Sequence, residues 1–224
     1  MLGAMGIDRW VTRDTPEVSA EAPDRDTGSG LPIDAGWDPL AHAVETCTRC
    51  ELHRSRTRTV FGVGDRQASW LLIGEAPGAE EDRRGEPFVG RAGGLLNAML
   101  QAAGVKREQV FIANILKCRP PNNRDPKAEE ASACADHLMA QINLIKPSLI
   151  LAVGRIAAQN LLQTEQTIGR LRGQVHQFRD TGIPLVVIYH PAYLLRSPGE
   201  KRKAWDDLRL ALATAPPIGE ACTP

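Results

Sequence analysis

The chain contains 224 residues, of which 42% are hydrophobic and 24% are charged, and its 27 basic and 27 acidic side chains cancel. This length and composition are typical of a globular protein with one domain, whose core needs no disulfide bonds. No run of about 18 apolar residues is present, which excludes a membrane-spanning helix. The first residues also lack an apolar stretch of signal-peptide length, so we expect a cytoplasmic protein, monomeric and without a membrane partner.

The charges are distributed unevenly along the chain. Residues 1–38 contain eight acids and three bases, so the rest of the chain carries 24 bases and 19 acids. Residues 1–36 are rich in Asp, Glu, Pro, Ser and Gly and have no hydrophobic period, which predicts a disordered acidic tail. The mildly basic remainder suits binding to a polyanion, although two separately solvated surfaces would give the same counts.

Strands and helices alternate after this tail. The predicted elements are a helix over 38–46, a strand over 69–74, a helix over 91–103, a strand over 109–113, a helix over 127–145, a strand over 148–153, a helix ending at Leu162, a minor strand over 173–178, a strand over 184–189 and a helix over 200–214. This alternation predicts an α/β domain over residues 37–214, with a mostly parallel sheet between helices. Residues 215–224 are predicted to be a flexible C-terminal tail.

Ligands of such folds bind beyond the carboxyl ends of the strands. Three loops there have unusual sequences, which are GEAPGAEEDRRGEPFVG from residue 74, NILKCRPPNNRDP from residue 114 and HPAYLLRSP from residue 190. In the first loop, Gly74 and Ala76 permit close backbone approach, Glu75 and Glu81 supply carboxylates, and Phe88 is able to stack on a planar ligand. A flexible acidic loop with Phe88 in the core is the alternative.

The other two loops offer hydrogen-bonding groups and apolar side chains. Asn114 and Asn123 each carry an amide donor and acceptor, although a Pro-rich connector with solvated side chains would look similar. His190 follows a buried strand directly, where it is either a packing residue or a positioned donor. After it come apolar side chains and a cation suited to entering a stack of bases, namely Tyr193, Leu194, Leu195 and Arg196.

Four of the five cysteines have the spacing of a metal or cluster site. Cys47 and Cys50 form a C-x2-C pair, and 15 residues separate Cys118 from Cys134. Structural disulfides are rare in cytosolic proteins, so these four are better interpreted as metal ligands. Cys222 is predicted to be a free thiol.

The three loops and the cysteine spacing together resemble the family 4 uracil-DNA glycosylases, the bacterial and archaeal iron–sulfur type, from about Leu40 to Leu210. The resemblance implies a three-layer α/β/α sandwich with a central four-stranded parallel sheet, and a 4Fe-4S cluster on the four cysteines named above. It also implies a DNA repair enzyme that flips deoxyuridine out of DNA and hydrolyses its N-glycosidic bond. Free uracil and an abasic site would be the products.

The resemblance also implies roles for the loop residues. Phe88 would stack on the flipped uracil, Asn114 would pair with its N3–H and O4, and His190 would donate to O2. Leu194 or Leu195 would fill the gap in the duplex, with Arg196 near the phosphates. Glu75 and Glu81 are the candidates for positioning water, with Asn123 supporting the loop. Ala76 stands where better-known uracil glycosylases outside this family carry an aspartate.

Other interpretations of the same residues remain open. A relative of this family traps uracil-DNA covalently through a histidine in an inserted basic loop, but this chain has no histidine between Asn114 and Pro126. An iron–sulfur redox protein would leave the His190 loop unexplained, and zinc is an alternative occupant of the cysteine site. The acidic tail is a candidate binding segment for a replication or repair partner.

Overall fold

The computed structural model describes residues 36–215. The predicted acidic tail, its possible partner-binding role, the C-terminal tail and Cys222 therefore fall, apart from Gly36 and Ala215, outside the described residues. Within residues 36–215, no helix has both the length and the apolar character needed to cross a membrane.

The described chain folds into eight α-helices and six strands. The helices are α1 (Trp37–Glu45), α2 (Ala79–Arg84), α3 (Arg91–Ala102), α4 (Ala128–Ile145), α5 (Arg155–Leu162), α6 (Ile168–Leu171), α7 (Pro191–Arg196) and α8 (Lys201–Thr214). The strands are β1 (Val63–Gly64), β2 (Trp70–Gly74), β3 (Phe111–Asn114), β4 (Leu149–Val153), β5 (Val175–Phe178) and β6 (Ile183–Ile188). The predicted α/β class is confirmed, and the four main predicted strands are present with ends displaced by at most two residues.

The strands form one sheet in the order β1-β3-β2-β4-β6-β5. The four central strands are parallel, as the resemblance implied, while β1 and β5 pair antiparallel at the two edges. The whole sheet thus has six strands, which are the four parallel strands that the resemblance implied and one antiparallel strand at each edge. The minor strand predicted over 173–178 is present as β5, whereas β1 was not predicted, because a strand of two residues is too short to show a hydrophobic pattern.

The central strands are hydrophobic on both faces because helices cover both. In β2, Leu71 and Ile73 pack into the core beneath α4 and α5, whereas Trp70 and Leu72 pack into the core beneath α3 and α8. This arrangement gives the three layers that the resemblance implied. It also brings the carboxyl ends of β2 and β3 side by side, because Gly74 pairs with Asn114 in the register.

The segment HPAYLLRSP is not a loop throughout, contrary to the sequence prediction, because its first part forms α7. His190 caps this helix by accepting a hydrogen bond from the Ala192 N–H, and Pro191 occupies the first helical position. Both features favour a helix start. With only six residues, α7 is too short to show a hydrophobic period.

Candidate active site

A cleft of about 730 Å³ opens beyond the carboxyl ends of the four parallel strands. It is the edge of the sheet at which the strand order predicts a ligand. Nine of the predicted site residues line it, and these are Glu75, Ala76, Glu81, Phe88, Asn114, Asn123, His190, Tyr193 and Arg196. The cleft therefore gathers side chains from all three unusual loops in one place.

The floor of the cleft is formed where Phe88 and Asn114 approach the backbone of Gly74. A Cβ atom on Gly74 would lie 2.4 Å from Asn114 Oδ1 and 2.8 Å from the Phe88 ring. Atoms cannot approach so closely, so only glycine permits this arrangement. Phe88 is 7% exposed and Asn114 is 2% exposed, so both are largely withdrawn from water.

Phe88 is held in an unusual backbone conformation, with φ at 53°. The loop after it is fixed by Glu81, whose Oε1 accepts hydrogen bonds from the Val89 N–H at 3.0 Å and the Gly90 N–H at 3.1 Å. Left-handed backbone is uncommon for an aromatic residue and is concentrated at functional sites. The carboxylate of Glu81 thus has a defined structural task beside the cleft.

His190 faces Phe88, with the two ring centroids 5.5 Å apart and the planes at 30°. Its Nδ1 accepts a hydrogen bond from the Ala192 N–H at 3.1 Å, so the proton of the neutral ring resides on Nε2. Burial, with the positive charge of Arg196, lowers the pKa of His190 to about 4. The side chain is therefore a neutral imidazole with an N–H to donate at neutral pH.

Glu75 lies in the same cleft and retains a proton more readily than an ordinary glutamate. Burial raises its pKa to about 7, the negative charge of Asp125 adds to this, and Arg155 opposes it. Asp125 and Arg155 also line the cleft and form an ion pair at 2.7 Å. Sequence reasoning missed both, although Arg155 directly follows Gly154 at the end of β4, a position that the fold places at the site.

The side-chain oxygen of Asn123 is already engaged in a hydrogen bond within the protein. Its Oδ1 accepts a hydrogen bond from Arg119 Nε at 2.7 Å, and its backbone has φ at 52°. The side chain therefore braces the second loop at the rim of the cleft.

The two leucines of α7 have different environments. Leu194 is 0% exposed and lies among residues of α3 and α8, whereas Leu195 is 38% exposed and Tyr193 is 37% exposed. The expectation that either leucine could enter DNA is therefore wrong for Leu194, which belongs to the core. A six-residue helix turns consecutive side chains in different directions, so only one of the pair faces outward.

The four predicted ligand cysteines line one small cavity, away from the cleft, together with Arg56 and His137. None of the four forms a disulfide bond. Arg56 Nη1 donates to Cys118 Sγ at 3.2 Å, and the Lys117 N–H donates to Cys134 Sγ at 3.3 Å. In residues 36–215, no three His, Cys, Asp or Glu side chains are arranged around a point that would hold a single metal ion.

Comparison with known proteins agrees with this geometry. A family model described as the uracil DNA glycosylase superfamily matches residues 61–209. The chain belongs to this superfamily. The type-4 uracil-DNA glycosylase of Archaeoglobus fulgidus is 43% identical over 191 residues, which cover 83% of this chain and 92% of that protein.

Other members of the superfamily are similar over most of their length. The type-4 uracil-DNA glycosylase of Pyrobaculum aerophilum is 41% identical over 76% of this chain and 90% of its own. The type-5 uracil-DNA glycosylase of Thermus thermophilus is 36% identical over 54% of this chain and 60% of its own. The match to type-4 members thus covers more of this chain than the match to this type-5 enzyme.

Proposed function

We propose that this member of the superfamily is a uracil-DNA glycosylase of type 4, with residues 37–214 as its catalytic domain. It would hydrolyse the N-glycosidic bond of deoxyuridine in DNA, releasing uracil and leaving an abasic site for base excision repair. The observation that carries the proposal is the single cleft lined by Phe88, Asn114 and His190. The type-4 uracil-DNA glycosylases that are 43% and 41% identical over most of the chain support it.

Recognition of uracil requires that the nucleotide first leave the base stack. The flipped base would stack on Phe88, while the Asn114 amide would accept from N3–H and donate to O4. Cytosine presents acceptor and donor groups in the opposite order. A buried amide facing cytosine would therefore lose its partners, at a cost of about 1–3 kcal/mol for each unsatisfied group.

Cleavage places negative charge on the departing uracil and leaves an oxocarbenium-like sugar. His190 is suited to donate its Nε2 proton in a hydrogen bond to O2, because its Nδ1 is committed as an acceptor. A neutral donor is fixed in place before the charge develops, which is how preorganised sites stabilise an oxyanion.

Glu75 is the better candidate for positioning the attacking water, because Glu81 is engaged with the Val89 and Gly90 amides. We therefore assign Glu81 to holding the Phe88 loop and Glu75 to the water. An ionised carboxylate is needed to accept a hydrogen bond from water while the sugar becomes cationic.

Activity should depend on pH through Glu75. The pKa of Glu75 is about 7, so its carboxylate is mostly ionised above pH 7 and mostly protonated below it. We expect the single-turnover rate to fall as the pH decreases through 7. Glu75→Gln should be at least about tenfold slower above that pH and nearly independent of pH between 6 and 8.

Asp125→Asn should move the midpoint of the pH–rate profile to lower pH, because Asp125 is one cause of the raised pKa of Glu75. Full activity of Glu75→Gln, or an unchanged dependence of its rate on pH, would contradict the assignment of Glu75 to the water.

Base flipping leaves a gap in the duplex that Leu195, exposed on α7 beside Tyr193 and Arg196, would fill. We expect Leu195→Ala to reduce cleavage of uracil in duplex DNA by about tenfold, with little effect on single strands, because only the duplex must be held open. Leu194→Ala is the matched control, and it should lower the free energy of unfolding by about 2–5 kcal/mol. Single-turnover rates on both substrates and thermal unfolding distinguish the variants, and equal losses on single and double strands would count against a wedge.

The cysteine cavity is suited to a 4Fe-4S cluster. Four thiols supply the donor set, and Arg56 and the Lys117 amide direct N–H groups at two of the sulfurs, as is common around anionic clusters. Both ring nitrogens of buried His137, on the wall of the same cavity, have no hydrogen-bond partner among the described residues. A bound cluster would tie α1 to the second loop and α4. Glycosidic hydrolysis transfers no electrons, so we assign the cluster a structural role.

The metal can be identified directly. We expect the purified protein to be brown, to absorb at roughly 400 nm and to contain iron and sulfide. Cys134→Ser should lose this absorbance and unfold at a lower temperature, while Cys222→Ser should retain both. A colourless protein with one zinc per chain would establish the zinc alternative instead.

A labelled oligonucleotide with one uracil tests the activity itself. Incubation with the protein and then heating in alkali should break the strand at the uracil, and an identical strand with thymine should remain intact. A stable protein–DNA adduct on a denaturing gel, without strand breakage, would instead identify a covalent trap. No breakage and no adduct would contradict the proposed function.

A further inference from the structure

Lys117 is a buried cation that lines the cysteine cavity and contacts the backbone of Asn114, a residue of the cleft. It is 1% exposed and is one of the largest fully buried side chains among the described residues. Burying a charged group is costly unless hydrogen bonds compensate for the lost water. A lysine in such a place therefore needs a reason beyond filling space, which an apolar side chain would do at lower cost.

The ammonium group of Lys117 has two acceptors. Its Nζ donates to the backbone oxygen of Asn114 at 3.0 Å and to Gln141 Oε1 at 2.6 Å. Gln141 is itself fixed, since its Nε2 donates to the Phe61 oxygen at 2.8 Å. The contact thus ties the end of β3 to the interior face of α4.

The backbone of Lys117 is anchored independently of its side chain. Its N–H donates to Cys134 Sγ at 3.3 Å, and its oxygen accepts from the Val60 N–H at 2.8 Å. Removing the ammonium group would therefore leave the path of the chain at residue 117 supported. The effect should be concentrated at the Asn114 oxygen.

Asn114 lies where the backbone leaves the sheet and its side chain enters the cleft. The next two residues turn across the end of β2, with the Ile115 N–H bound to the Gly74 oxygen and the Leu116 N–H bound to the Glu75 oxygen. The Lys117 Nζ fixes the Asn114 oxygen in this turn. This hydrogen bond and that of the Ile115 N–H hold the same peptide, and we expect the direction of the Asn114 side chain to depend on it.

We propose that Lys117 is a positioning residue, which fixes the main chain of Asn114 so that its amide discriminates uracil from cytosine. The inference rests on the proposed function, because it assumes that Asn114 reads the base. In this role Lys117 would touch neither the base nor the sugar. It would act through its hydrogen bond to the Asn114 backbone, and it directly precedes Cys118 in the chain.

Binding to an uncleavable substrate tests this proposal without relying on turnover. An oligonucleotide with 2′-fluoro-2′-deoxyuridine resists hydrolysis, because the fluorine destabilises the cationic sugar. The measured quantity is the affinity for this strand divided by the affinity for the same strand with 2′-fluoro-2′-deoxycytidine. The methionine of Lys117→Met is similar in length to lysine but has no charge. This variant should reduce the ratio by about tenfold or more, as expected for losing one buried hydrogen bond to Asn114.

Two further variants make the experiment decisive. Lys146→Met is the matched control, because Lys146 is exposed and lies before the amino end of β4, at the end of the sheet away from the cleft. The affinity ratio of this variant should equal that of the wild type. Gln141→Leu removes the other acceptor of the Lys117 ammonium group, which helps to hold that group against the Asn114 oxygen. This variant should therefore also reduce the affinity ratio. It replaces Lys117→Met in the test if that variant fails to fold, as judged by its melting temperature and metal content.

The outcomes separate the inference from the proposed function. A folded Lys117→Met or Gln141→Leu protein with an unchanged ratio would overturn the inference alone. A wild-type protein without any preference for the uracil strand would overturn the proposed function, and with it the role of Asn114. A reduced ratio with unchanged affinity for the cytosine strand is the expected result.

Discussion

Replacing His190 with alanine should slow single-turnover release of uracil by roughly 10²–10³-fold, the usual cost of removing one donor to a developing oxyanion. The cleft brings this imidazole against Phe88, and its Nδ1 is already occupied by the Ala192 N–H. Only Nε2 is left to serve the substrate. Rapid-quench measurement with enzyme in excess over a labelled uracil strand gives the rate of the chemical step.

His190→Asn separates the two tasks of this side chain. Asparagine is a good N-cap residue, so it should retain the acceptor for the Ala192 N–H and keep α7 in place. It lacks a donor at the position of Nε2, so we expect it to fold like the wild type and to be nearly as slow as His190→Ala. A fast His190→Asn enzyme would show that the cap, and not the donor, is what the reaction needs.

Gly74→Ala should be almost as damaging, although it adds one methyl group. The new Cβ would stand 2.4 Å from Asn114 Oδ1 and 2.8 Å from the Phe88 ring, so at least one of these groups must move. Displacement by about 1 Å is enough to cost roughly 100-fold in rate at a preorganised site. We expect a loss of this size in single-turnover cleavage, together with weaker binding of the uncleavable uracil strand.

Gly94→Ala provides the control for this substitution. Gly94 lies on the exposed side of α3, and a Cβ there would meet no atom within 4 Å. Alanine favours a helix over glycine, so this variant should be fully active and slightly more stable, by about 0.5–1 kcal/mol. An active Gly74→Ala enzyme would mean that the close approach of Phe88 and Asn114 is not required for catalysis.

Much of the fold could be predicted from the sequence because its signals are local. The central strands are short apolar runs that end at or just before Gly74, Asn114, Gly154 and His190, and parallel strands carry their ligands at such ends. The residue types in the three loops then indicated stacking, amide recognition and proton donation. Residues distant in the chain were expected to meet at one edge, and the cleft contains them.

The sequence by itself determined which chemical groups the protein has and at which strand ends they stand. Only the tertiary structure decided which of those groups are free to act. The folded environment buries Leu194, engages the carboxylate of Glu81, raises the pKa of Glu75 and encloses the charge of Lys117. Burial and electrostatic environment are sums over atoms that are distant along the chain, so no local pattern of residues specifies them.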